Sequence, residues 1–302
     1  MPANESLRLE ALLDCDILDT EPEQAYDDLA QLASQICQTP IALVSLVDER
    51  RQWFKARVGL SVTQTPRHIA FCSHAIQLPD RVLLVEDTLG DQRFRENPLV
   101  TGDPGIRFYA GAPLLAPNAQ PLGTVCVVDT VPRKLDAGQV SALQALARLG
   151  STLLRKRLQR KALHEAEQAQ AESEARFRCL ADGAPVLVWN CGPDMKWDWV
   201  NRQVLQHTGR SLQQLVETGW KSLVHPDDSA RFRREFEEAF IGHRHFQCEY
   251  RIRRHDGLYR WFVDSAVPRF RPDGKFMGYA GLLMDITEHV ESETNGHVHA
   301  RG

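Results

Sequence analysis

At 302 residues the chain is long enough for two domains of ordinary size. Hydrophobic residues make up 43% and the formal net charge is -4, so ordinary cores are expected, with no bulk electrostatic attraction to nucleic acid. No apolar run approaches the ~20 residues that span a bilayer, and the amphipathic, acidic start MPANESLRLEALLD is unlike a signal peptide. A cytoplasmic protein is expected. The seven cysteines (Cys15, Cys37, Cys72, Cys126, Cys179, Cys191, Cys248) are scattered and never form a C-x-x-C pair, which argues against a disulfide framework or a zinc site.

Two helices are expected first. Leu7, Leu9, Leu12 and Leu13 precede a break at Thr20-Glu21-Pro22. From Pro22 to Cys37 the positions Tyr26, Leu29, Ala30, Leu32, Ala33 and Ile36 recur at helical spacing. Thr20 and Pro22 read as an N-cap and first-turn pair. The period then changes. Ile41-Ala-Leu-Val-Ser-Leu-Val47 is a near-continuous apolar run, as in a strand covered on both faces. RQWFKARVGL reads as a second strand ending at Gly59. IRFYAGAPLL (Ile106 to Leu115) and PLGTVCVVD (Pro121 to Asp129) flank the polar turn APNAQ as a hairpin. Strands between helices at both ends predict an antiparallel sheet with helices on one side, an α+β layer fold.

From Asp136 to Asp182 the chain is built mainly of Ala, Leu, Gln, Glu, Lys and Arg, without proline. These are the strongest helix formers. One helix of about 45 residues would run roughly 68 Å at 1.5 Å per residue, too long for a single globule to bury. It reads as a connector between domains, with a stripe from Val140 to Leu158 as a dimer seam. The basic block Arg155, Lys156, Arg157, Arg160, Lys161 is followed by Glu165, Glu167, Glu172 and Glu174. Such blocks disfavour an in-register parallel pair and read as a solvated face. His164-Glu165 lacks the Arg and Pro that accompany a histidine-kinase phosphoacceptor.

The second half opens with VLVWNCG and Trp197–Asn201 as strands, then two short helices across NRQVLQHTG and SLQQLVETG. HPDDSARFRREFEEAF is a helix with Pro226 in its first turn and Asp227 and Asp228 at its positive end. Phe232, Phe236 and Phe240 lie four apart on one ridge. FQCEYRIRR and LYRWFVDSAVPRF alternate as half-buried strands around the turn His255-Asp256-Gly257, and KFMGYAGLLMDIT is the last strand.

These blocks carry two resemblances. RQWFKARVGL, TPRHIAFCSHAI, NPLVTGDPGIRFYAGAPL and LGTVCVVD followed by PRKL resemble, in order, a GAF domain of the type at the N-terminus of bacterial sensor histidine kinases and diguanylate cyclases. The helix start HPDD, the block EYRIRRHDGLYRWFVDSAVPRF and the terminal Asp285-Ile286-Thr287 resemble a PAS domain. The resulting expectation is α+β throughout. A GAF domain occupies residues 1–150, a connecting helix and coiled-coil candidate 136–182, a PAS domain 175–290, and a flexible tail 291–302.

The candidate site residues follow from these resemblances. Cys72, His74, Tyr109 and Thr124 are candidates to line the GAF pocket; Trp189, Tyr250 and Trp261 are candidates to line the PAS cavity; Asp285 and Thr287 are signal-transfer candidates. Bilin attachment would place His directly after the Cys, and here Ser73 intervenes. A methionine-sulfoxide reductase of the GAF type needs several cysteines in one pocket. Cys72 and Cys126 can meet, but the surrounding motif does not match, and the simpler reading of Cys72 is a small residue packed under a helix. Asn190-Cys191 mimics the start of a flavin-adduct motif but sits on the first strand. His207 and His225 suit helix ends better than haem ligation. His243-x-His245 and His297-x-His299 make poor metal sites without further ligands.

No metal or cofactor is assigned; an unknown small-molecule ligand is. The resemblance implies a signal-transducing sensor, a homodimer with no catalytic domain of its own, acting on a kinase or cyclase output partner absent from this chain. The alternatives are the sensory part of a histidine kinase or diguanylate cyclase, and a redox enzyme built on the GAF pocket.

Overall fold

The computed structural model describes residues 5–292. The chain divides into two compact units, 1–167 and 168–302. A single helix, α5 (Ala137–Gly183), runs through both, with the larger part of its length in the first.

In the first unit α1 (Glu5–Asp14) and α2 (Gln24–Cys37) precede β1 (Ile41–Val47), β2 (Arg51–Val58) and β3 (Gln64–Pro66). The short helix α3 (Cys72–Ala75), β4 (Leu83–Val85), the short helix α4 (Pro98–Thr101), β5 (Phe108–Leu115) and β6 (Pro121–Asp129) complete it. The sheet is antiparallel, in the order β3-β2-β1-β6-β5-β4. β1 is buried at every position, as its unbroken apolar run requires.

The sheet is covered on both faces, not on one side alone. Ala42, Val44, Leu46, Phe108, Ala110, Val125 and Val127 pack against α1, α2 and α5. The alternate residues Ile41, Leu43, Tyr109, Cys126 and Val128 pack against Phe71, Cys72, Phe94 and Val100 from α3, α4 and the loops beside them. Strand period two produces both cores from the same strands. Of the second cover, sequence reading reaches the helix at FCSHAI, by resemblance, but not α4, which at four residues shows no period. β3 and β4, at three residues each, are likewise too short to show a period.

One detail at the start of the chain differs from expectation. Thr20 does not cap α2, whose N-cap is Glu23. The Thr20 hydroxyl instead donates to Ile17 O and accepts from Lys55 Nζ. Lys55 is buried with its ammonium held by Thr20, the Glu21 carbonyl and the Glu23 carboxylate at 2.6–2.8 Å, the full partnering a buried charge demands.

The leucine stripe of α5 is also used differently. Leu143, Leu146, Ala147 and Leu154 are buried in the first core, with Val140, Leu153 and Leu158 packed against it. The sheet takes the face that was read as a dimer seam. Part of the basic block is likewise engaged: Arg157 donates to the carbonyls of Cys15 and Asp16 and pairs with Glu23 at 2.8 Å. Cations there satisfy carbonyls just beyond the C-terminus of α1.

In the second unit β7 (Leu187–Cys191), β8 (Trp197–Val200), α6 (Arg202–Thr208), α7 (Leu212–Thr218) and α8 (Pro226–Ile241) precede β9 (Phe246–Arg253), β10 (Tyr259–Phe270) and β11 (Phe276–Asp285). The sheet is antiparallel in the order β8-β7-β11-β10-β9. Residues 287–292 turn helical after β11. Of the 291–302 tail, residues 293–302 and the pair His297 and His299 lie outside the described residues. Phe232, Phe236 and Phe240 form the expected buried ridge of α8.

Candidate functional site

The first centre is built on the α3 side of the first sheet. Ser45 and Thr124 are direct cross-strand partners, and Cys126 sits opposite both Leu43 and Gly111. Tyr109 and Gly111 share a face of β5, two residues apart. A Cβ on Gly111 would stand 2.2 Å from the Tyr109 hydroxyl, so the phenol crosses the glycine to reach inward. The sequence FCSHAI then places Cys72 at the start of α3, above these side chains. Phe71 anchors that helix by stacking on Phe94 at 4.3 Å and on Tyr109 at 5.2 Å.

Cys72 Sγ therefore accepts hydrogen bonds from Thr124 Oγ1 (3.0 Å), Ser45 Oγ (3.2 Å) and Tyr109 OH (3.3 Å). Cys126 Sγ lies 3.7 Å away. All five residues are buried. Burial pushes the Cys72 thiol up, but the bonds from Cys126, Ser45, Thr124 and Tyr109 outweigh it and bring it to about 7. Cys126 moves the other way, raised by its bond to Cys72 and by burial. Tyr109 is raised well above its ordinary value, chiefly by burial. The three hydroxyls directed at Cys72 favour the ionised form of that sulfur.

Beside Cys72 lies an apolar cavity of about 90 Å³. Cys72, Cys126 and Tyr109 form one end; Leu43, Phe54, Phe71 and Ile106 form walls. Its lining reaches Val62, which is 49% exposed, so the cavity has a mouth. Gln52 also lines it, and Gln52 Oε1 is buried with no hydrogen-bond partner in the protein. A buried acceptor left open in this way is costly unless something fills the place. Thus three of the four GAF candidates, Cys72, Tyr109 and Thr124, meet around one sulfur. His74 does not join them: it is half-buried, edge-on to Phe94 at 4.8 Å. Its pKa is lowered by burial and by Arg93. Ser45, Gln52 and Cys126 complete the centre. Their signal in sequence is a polar or thiol residue within an otherwise apolar strand.

The second centre is a packed interior. Trp189 Nε1 donates to Asp264 Oδ1 (3.1 Å) and Tyr250 OH donates to Asp264 Oδ2 (2.7 Å), all three buried. Gly281, the cross-strand partner of Trp189, makes room for its indole; a Cβ there would lie 2.5 Å from the ring. Trp220 stacks on Trp197 at 5.2 Å and Phe232 meets Tyr250 at 4.4 Å, so aromatic rings fill the space around the carboxyl. Burial raises Asp264 to about 7, against the opposing bonds from Tyr250 and Trp189. Trp261 stands apart: β10 alternation puts it opposite to Phe262 and Asp264, and the Arg251 guanidinium lies 5.1 Å from its ring. Arg251 is held there by both carboxylate oxygens of Asp228.

Asp285 and Thr287 act together at the end of β11. Asp285 Oδ1 accepts from Thr287 N (2.9 Å) and Oγ1 (2.6 Å), and Thr287 Oγ1 accepts from Trp261 N (2.9 Å). The start of the last helical turn is thereby tied to β10.

The histidines take structural places. His225 caps α8, its Nδ1 accepting from Asp227 N, and His207 ends α6 edge-on to Phe262. His243 stacks on Phe276, while His245 bonds Ser265. His164 lies on an exposed part of α5, and Cys191 is buried in β7. Among the described residues no three His, Cys, Asp or Glu side chains gather to hold a metal ion, and no helix is long and apolar enough to cross a membrane.

These two architectures define a pair of α+β sensor-type domains, each an antiparallel sheet with a helix-covered face. Residues 21–154 match the GAF domain model and residues 198–283 match the PAS fold model, so the chain carries a GAF domain followed by a PAS domain. It is 45% identical over 134 residues to a cyclic di-GMP phosphodiesterase of Pseudomonas aeruginosa, covering 44% of this chain and 23% of that protein. It is 29% identical over 125 residues to a peroxide stress-activated histidine kinase of Schizosaccharomyces pombe, covering 41% of this chain and 8% of that one. The chain thus spans about a quarter or less of these curated relatives. Among solved structures it is similar to the GAF domain of an Acinetobacter phosphoenolpyruvate-protein phosphotransferase, with 18% identity, TM-score 0.38, and coverage of 49% of this chain and 93% of that one. It is also similar to a PAS domain from Colwellia psychrerythraea, with 19% identity, TM-score 0.34, and coverage of 38% and 97%.

Proposed function

We propose that this chain is a signal-sensing module whose input site is the GAF cavity beside Cys72. The observation that carries this reading is an apolar cavity with a mouth, a buried open acceptor at Gln52 and a hydrogen-bonded sulfur. Occupancy biases the packing of α5 on the GAF sheet, and the PAS domain relays that bias to an output module. Typical couplings of ~1–3 kcal/mol shift such an equilibrium about 5- to 150-fold. The named relatives support two output classes, cyclic di-GMP turnover and histidine-kinase phosphorylation. On this reading the chain itself holds no output catalysis and acts as a homodimer. Its seven unpaired cysteines suit a cytoplasmic location.

Hydrogen–deuterium exchange on the full chain tests the relay. Ala70, a buried cavity residue, is replaced by Leu to mimic occupancy. Exchange in residues 137–158 is expected to change at least severalfold; a change confined to the cavity walls sinks the relay. Native mass spectrometry at micromolar concentration is expected to give a dimer, and a strict monomer would remove the homodimer from the proposal.

A further inference from the structure

Cys72 carries more than packing requires. A small buried residue needs no donors, yet three hydroxyls converge on its sulfur within 3.3 Å. A thiolate accepts all three hydrogens at once. A thiol would have to place its own hydrogen among groups already directed at it. Ser45 and Thr124 also stand 3.1 Å apart, so their hydrogens bond either to each other or to the sulfur. An anionic sulfur draws both. The neighbouring sulfur of Cys126 is 3.7 Å away, against the ~2.05 Å of a disulfide, a gap that side-chain rotation with a small shift of α3 closes. The cavity supplies what such a pair needs from a reaction partner: apolar walls, a mouth, and one open acceptor at Gln52. An apolar cavity of ~150 Å³ takes benzene; this one, at about 90 Å³, suits a smaller molecule or one whose bulk fills the mouth.

We infer that Cys72 and Cys126 form a peroxide-reducing pair whose substrate is a short alkyl hydroperoxide bound in the GAF cavity. The inference rests on the cavity being the input site. The alkyl group lies on the apolar walls and Gln52 Oε1 accepts the hydroperoxide O–H. The Cys72 thiolate attacks the terminal oxygen. An S–O bond forms, the O–O bond breaks, and the departing alkoxide takes a proton from water at the cavity mouth, replacing the one Cys72 released on ionising, to leave as the alcohol. Sulfur is oxidised by two electrons and the peroxide reduced by two. The Cys126 thiol then attacks the sulfenic sulfur. An S–S bond forms, the S–O bond breaks, and hydroxide leaves with the thiol proton as water. An external dithiol reduces the bond and restores both thiols. Closing it draws α3 toward β6, changing the cover over the sheet.

The test treats the full chain with tert-butyl hydroperoxide and follows peptides by mass spectrometry. Exposed Cys179 serves as the internal reference. A disulfide-linked Cys72–Cys126 peptide is expected, reversed by dithiothreitol, with Cys72 consumed at least tenfold faster than Cys179. In Cys126→Ala the reaction stops at the sulfenic acid, trapped by dimedone on Cys72. Wild-type Cys72 reacts severalfold faster with tert-butyl hydroperoxide than with hydrogen peroxide at equal concentration, and Gln52→Leu slows both. Preferential loss of Cys179, or oxidation of Cys72 with no bond to Cys126, overturns the pair. Equal rates of wild-type Cys72 with the two peroxides overturn the substrate class. Either failure leaves the response to Ala70→Leu untouched, which tests the input site alone.

Discussion

The GAF and PAS domains solve the same problem, a polar group buried beneath a twisted antiparallel sheet, in opposite ways. In each, an aromatic ring crosses a glycine to reach the polar atom: Tyr109 over Gly111 to Cys72, and Trp189 over Gly281 to Asp264. Around Asp264 the remaining space is filled by Trp220, Phe232 and their neighbours. Around Cys72 the space is left as a cavity with an open acceptor. A filled polar centre fixes packing and orients strands. A hollow one stays chemically addressable. The contrast motivates the proposed division of input to the GAF domain and relay to the PAS domain, and it can be broken experimentally.

The largest effect should follow removal of the filler. Trp189→Ala is expected to destabilise the PAS domain by ~3–5 kcal/mol, since it empties the site and strips a donor from Asp264. Urea unfolding followed by a PAS-specific probe measures it, and a loss under ~1 kcal/mol would show that the interior is less tightly packed than its ring contacts imply.

Next comes pH. Asp264 is raised in the folded state to about 7 from an ordinary 3.8. Between those values the folded protein binds more protons than the unfolded, so stability falls as pH rises. The contribution is complete below about pH 4 and is lost through pH 7, by up to roughly 4 kcal/mol. Asp264→Asn stays neutral, with Tyr250 free to accept from its amide, and should flatten this slope. It should match the wild type at or below about pH 4 and exceed it at pH 8; an unchanged slope would mean that Asp264 is already ionised throughout.

Two additions of volume sharpen the comparison. Gly281→Ala places a methyl 2.5 Å from the Trp189 ring and should cost ~1–3 kcal/mol by overpacking. Ala70→Leu adds volume to the cavity and should be neutral or stabilising by up to ~1 kcal/mol. Thermal melts resolve the two signs. If both substitutions destabilise alike, the distinction between hollow and filled domains fails.

Much of the fold was legible in the chain. The unbroken run at β1, the alternation of β9 and the proline and acid start of α8 each fix an element through period and capping. The long helix followed from composition, although most leucines of its stripe serve the GAF core, with Leu149 exposed. An apolar stripe specifies burial without naming the surface that buries it. Three of the four GAF candidates converged, since Tyr109 and Thr124 share a sheet face set by strand parity. Gln52, Ser45 and Asp264 were not legible as functional, because a single polar residue in a strand gains its meaning from what lies across the sheet.

The sequence by itself determined two α+β domains, their order, their family likeness and the helix between them, because hydrophobic period and turn chemistry are local. Tertiary structure alone decided that Cys72 meets Cys126 across 54 positions and that Asp264 meets Trp189 across 75. It also left open space beside the first centre and set aromatic rings around the second. Register and the close approach over two glycines set those distances, and they depend on which strands pair, a choice that no local pattern encodes.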